Sequence, residues 1–158
     1  MGSFLTPVMV RTALDVGLIY AIVALSLFIS FSILNICDLS TDGCFTLGCA
    51  VAAVVTMAGH PLLAIPAAMA AGVLSGSVTA LLQTKLGVPS ILAGIIVNTG
   101  LYTVNLGVMG FSSNISIFGT ETIFSLWGKF FENTPLREWS RSILLLVLIL
   151  LICLLLNW

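Results

Sequence analysis

The chain has 158 residues, of which 59% are hydrophobic and only 7% charged, and its formal net charge is -1. Soluble domains carry about a quarter charged residues, so this composition describes an integral membrane protein rather than a soluble globular domain. Its five Lys and Arg residues form no basic patch, which removes nucleic acid as a partner class.

The expected fold class is all-α, a polytopic membrane helix bundle of about five hydrophobic segments, one of them short or broken near a polar patch. The start of the chain has no basic region and no small-residue cleavage site, so the first apolar run reads as a retained span. Met1, Gly2 and Thr6 fit an acylation pattern, from which a chain full of spans gains little. Segment one covers roughly residues 12–36, with Asp15 as its one acid near the start and Ala13, Gly17 and Ala21 repeating every four residues. Small side chains at that spacing let another helix approach closely.

The stretch 35–48 is the polar exception. It sets Asp38, Ser40, Thr41, Asp42 and Gly43 between hydrophobic runs. Segment two, about 43–58, follows it and extends only ~24 Å at the helical rise, short of a hydrocarbon core of roughly 30 Å. The patch is therefore expected partly at membrane depth, where irregular backbone survives only against protein or a water-filled path. Ser40, Thr41 or Asp42 can cap the helix that follows, and Gly43 permits a bend. Gly59, His60 and Pro61 make a turn, with His60 a turn residue rather than a metal ligand.

Segment three, about 62–83, carries Ala64, Ala68, Gly72, Gly76 and Ala80 in a four-residue spacing, with Ala67, Ala71, Ser75 and Thr79 as the adjacent stripe. This is a helix-packing face for the inside of a bundle. Segment four, about 90–110, begins after Pro89 and holds Asn98, Tyr102 and Asn105 near one face. Amides inside a membrane helix must find partners, so Asn98 and Asn105 are expected to point toward other helices or a cavity. Residues 111–141 form an extramembrane connection with most of the charges, Glu121, Lys129, Glu132, Arg137, Glu138 and Arg141, and with aromatics that suggest a short interfacial helix. Segment five starts near residue 142 and is still apolar at Trp158, so residues 1–158 are expected to be one transmembrane domain cut off inside a span.

Cys37, Cys44, Cys49 and Cys153 lack C-x-x-C spacing and read as buried small hydrophobes. No metal site and no catalytic residue is assigned. Three functional classes remain at this point: a solute path lined by Asp38, Ser40, Thr41, Asp42, Gly43, Asn98, Tyr102 and Asn105; a membrane-embedded enzyme using Asp38 and Asp42 as an acid pair; and a small oligomeric channel or scaffold.

The run from Asp38 to Gly48 resembles the signature after the first span in membrane permease subunits of bacterial ABC importers, in the branched-chain amino acid and ribose permease superfamily. The tryptophan/tyrosine-type group is the most similar. Pro89 to Ile95, Leu101 to Leu106, Met109-Gly110 and the approach from Asn114 to Phe124 resemble that group as well. The resemblance implies a bacterial inner-membrane, multi-pass subunit that carries an amino acid and pairs with a second permease copy. It also implies cytoplasmic ATPase subunits and an extracytoplasmic solute-binding protein. No cofactor is expected on this chain, since ATP and Mg would be used by the ATPase. On orientation two arguments diverge: the distribution of Lys and Arg favours a cytoplasmic N-terminus, and the resemblance favours the reverse.

Overall fold

A computed structural model of the chain describes residues 6–33, 35–36, 38–130 and 139–156. Cys37, Phe131, Glu132, Arg137, Glu138 and residues 1–5 fall outside that set. The regular elements are helices: α1 (Pro7–Ser32), α2 (Thr41–Met57), α3 (Pro61–Thr84), α4 (Ser90–Val108), α5 (Ile123–Phe130) and α6 (Ser140–Leu156). The all-α membrane bundle expected from the sequence is what forms. Helices α1, α3 and α4 are long and apolar enough to cross a bilayer, while α2 and α6 are shorter apolar helices. Their outer faces stay apolar and exposed, with Leu62, Met69, Val73 and Leu74 on α3 each about two-thirds or more uncovered. Water would penalise such a surface, whereas hydrocarbon does not.

The chain divides into two compact units, residues 1–25 with 124–158, and residues 26–123. In the first unit Ser142 on α6 is buried and its hydroxyl donates to the carboxylate of Asp15 on α1, with Leu145 buried one turn further along. Asp15 thus has a hydrogen-bond partner on a neighbouring helix. No residue of α1 is buried, and the space beside Gly17 is open.

The second unit is built on α2, α3 and α4. Leu39 abuts Gly94 of α4, Gly43 of α2 abuts Asn98 and Leu101, and at the far end Val54 and Met57 share a wall with Val108 and Met109. Matching ends with matching ends makes α2 and α4 parallel. Helix α3 runs the other way, since Ser40 meets Thr79 and Gly48 lies near Ala68. Leu47, Val97 and Leu101 form the packed centre, with Ala71 and Leu82 against it.

Two glycines set how closely these helices approach. A methyl group on Gly94 would fall 2.8 Å from the backbone nitrogen of Leu39 and 3.1 Å from its Cβ. On Gly43 it would collide with the side chain of Asn98 and lie 3.3 Å from the Asn98 Cα. Gly43 is helical and buried, so its contribution is close approach rather than the bend expected from sequence.

The small residues of α3 do not make one straight seam. Ala64 is buried, Ala68, Gly72 and Gly76 are half-buried, and Ala80 is exposed. A four-residue step advances 400°, so each step drifts about 40° around a helix and four steps drift about 160°. Ser75 and Thr79 take over the buried line instead. Cys49 and Cys153 are exposed free thiols, not buried ones, and Cys44 is half-buried. An apolar neighbourhood does not mark the inside of a protein whose outside is apolar too.

Candidate functional site

The polar stretch folds into a turn that satisfies itself. Asp38 Oδ1 accepts the Ser40 backbone N–H at 2.8 Å and the Ser40 hydroxyl at 2.6 Å. The Thr41 hydroxyl donates to the Asp38 carbonyl at 3.3 Å. Ser40 Oγ also lies 3.1 Å from Thr79 Oγ1. Because the one Ser40 hydroxyl proton is held by the carboxylate, Thr79 must be the donor in that pair. A weaker alternative for Thr79 is the Ser75 carbonyl at 3.5 Å. The resulting chain, Thr79 to Ser40 to Asp38, ties the turn to α3. Ser40 stands at the N-cap position of α2 but makes no side-chain cap, against expectation, since its hydroxyl is already engaged and its backbone is helical.

The turn is recessed. It meets α4 at Gly94, four residues past the start of that helix at Ser90, and α3 at Thr79, five residues before its end at Thr84. At 1.5 Å per residue, α2 begins roughly 6–8 Å below the ends of its two neighbours. Ser40 is fully buried there.

From that start a groove of about 280 Å³ opens between α2 and α4. Asp42, Gly43 and Thr46 form its α2 wall; Asn98, Thr99, Tyr102 and Asn105 form its α4 wall. Asn98 to Asn105 lies eight to fifteen residues into a 19-residue helix, which is roughly 12–22 Å along a length of roughly 28 Å. The groove therefore runs from the middle of α4 toward its C-terminal end. The hydroxyls of Thr46 and Thr99 donate back to the carbonyls of Asp42 and Ile95, each at 2.8 Å. Both hydroxyls thus offer only lone pairs to the space they line. Asp42 is exposed and, among the described residues, is the only charged one on the groove wall. Asn105 is 7% exposed, and its Oδ1 is buried with no partner among the described residues.

Of the residues singled out by sequence, Asp42, Gly43, Asn98, Tyr102 and Asn105 come together on this groove, while Asp38, Ser40 and Thr41 build the turn beside it. Thr46 and Thr99 were not anticipated. Thr46 follows Asp42 by one helical turn, a spacing that in retrospect extends the polar face of α2. His60 is exposed at the start of α3, and among the described residues no three His, Cys, Asp or Glu side chains gather around a common point.

The family model for the branched-chain amino acid transport system / permease component matches residues 9–158. The chain belongs to this family. It is a membrane protein of a transport-permease family. An uncharacterized protein of Rickettsia prowazekii (strain Madrid E) is 37% identical over 142 residues, covering 89% of this chain and 49% of that protein. A tyrosine transport system permease protein of Clostridioides difficile (strain R20291) is 37% identical over 110 residues, covering 69% of this chain and 37% of that protein. The chain thus spans half or less of the length of these two relatives. No solved structure matches the chain significantly.

Proposed function

We propose that this permease subunit forms part of the translocation path of an ATP-driven importer, and that the α2/α4 groove lies on that path. The observation that carries the reading is a polar groove that starts at the middle of a helix long enough to cross the bilayer, lined by Asp42, Asn98, Tyr102 and Asn105. Polar side chains are expensive at membrane depth, and a water-filled solute route is the common reason to keep them there. The solute is a small polar molecule, an amino acid; the likeness to a tyrosine transport permease supports an aromatic one. The working assembly pairs two permease copies with cytoplasmic ATPase subunits and an extracytoplasmic solute-binding protein, in a bacterial inner membrane. This chain then carries no cofactor, and ATP and Mg act on the ATPase. The engagement of Asp38 by Ser40, with Asp42 on the groove wall, supports the path reading over an acid pair.

Cysteines substituted for Asp42 and Asn98 in the assembled transporter are expected to react with a membrane-impermeant thiol reagent in at least one state of the transport cycle. Reaction confined to residues 111–121, in every state, would remove the groove from the path.

A further inference from the structure

The groove has a chemical bias that a neutral water channel does not need. Among the described residues its wall carries one charge, the carboxylate of Asp42, and no cation. Thr46 and Thr99 have spent their protons on their own helices and face the space as acceptors. Asn105 adds a buried amide oxygen that no described group satisfies. An acceptor left bare in a protein interior is costly, although this one is closed off from the groove as it stands. The Asn98 and Asn105 amides and the Tyr102 hydroxyl can donate, so the groove is not closed to acceptors. Its charge nevertheless has one sign.

We infer that the α2/α4 groove selects for a protonated amine, taking an alkylammonium group against the Asp42 carboxylate and the Thr46 and Thr99 oxygens, and disfavours anions. This rests on the groove being part of the solute path and adds to it which end of a solute the groove engages. An ammonium group has three donors and matches an acceptor-lined wall; a carboxylate entering the same space meets Asp42 as a like charge.

The test needs no knowledge of the solute. Thr46→Cys and, separately, Thr99→Cys are placed in a permease whose four native cysteines are replaced. Each variant, in membrane vesicles, is treated with a methanethiosulfonate carrying an ethylammonium group and with one carrying an ethylsulfonate group. Rates are divided by those for a free small thiol. At a separation of roughly 7 Å in a water-rich groove, attraction of one reagent and repulsion of the other by Asp42 give a preference for the cation of about tenfold. Adding Asp42→Asn, which keeps the shape, is expected to bring the ratio close to one. Equal rates without that substitution, or a preference that survives it, would overturn the charge selection while leaving a water-accessible path. Failure of both reagents at both positions would overturn the path as well.

Discussion

Replacing Gly94 by alanine adds one methyl group where the backbone of Leu39 already sits 2.8 Å away. Backbone cannot swing aside as a side chain does, so either α4 moves out or the Asp38–Ser40 turn is pushed off it. Overpacking of this kind costs about 1–3 kcal/mol. Displacing the turn also strains the Ser40–Thr79 pair at 3.1 Å, worth about 0.6 kcal/mol for a hydrogen bond between membrane helices. Together these predict a loss on the order of 2–3 kcal/mol, which for a domain of this size lowers the melting temperature by roughly 5–10 °C. Gly76→Ala on α3 is the matched control, because nothing lies within 4 Å of the added methyl group. It is expected to leave stability unchanged or raise it by up to ~1 kcal/mol through helix propensity. The measurement is thermal unfolding of the purified permease in detergent, followed by size-exclusion chromatography. A Gly94→Ala protein that melts with the parent, or a Gly76→Ala protein that falls as far, would refute the packing of the turn onto α4.

Three further outcomes follow from the same contacts. Ser40→Ala and Thr79→Val each remove one end of a buried pair, and a double-mutant cycle on unfolding should return a coupling of about 0.5–1 kcal/mol; additive losses would mean the two hydroxyls do not interact. Asn105→Leu removes a buried unpartnered oxygen and should raise stability by about 1 kcal/mol while lowering solute uptake in vesicles; unchanged uptake would take Asn105 out of the path. Ser142→Ala removes the donor to Asp15 and should destabilise by about 1 kcal/mol, whereas Ser142→Thr, which keeps a hydroxyl, should lose little.

The spans were legible because hydropathy and length are enough to find helices in a membrane chain. Segments expected at about 62–83 and 90–110 form as Pro61–Thr84 and Ser90–Val108. The polar stretch stood out for the same reason, and a four-residue spacing already put Asn98 and Tyr102 on one face. What a pattern of apolar residues could not reveal was which faces turn inward, since lipid and protein interior reward the same side chains. Hence Cys49 lies outside and the small-residue line of α3 drifts to exposure at Ala80. The engagement of Ser40 was hidden for another reason. Its position before a helix suggests a cap, and only the arrival of Asp38 and Thr79 diverts the hydroxyl.

Because α2 starts below the ends of α3 and α4, its polar first turn is held inside the packet, where Ser40 is fully buried. A helix that begins at that depth spans less of the hydrocarbon than the helices beside it. At the helical rise the 17 residues of α2 reach roughly 25 Å, against roughly 30 Å for the hydrocarbon core. On the proposed path, that shortfall would leave a hydrophilic solute less low-dielectric thickness to cross before any residue touches it.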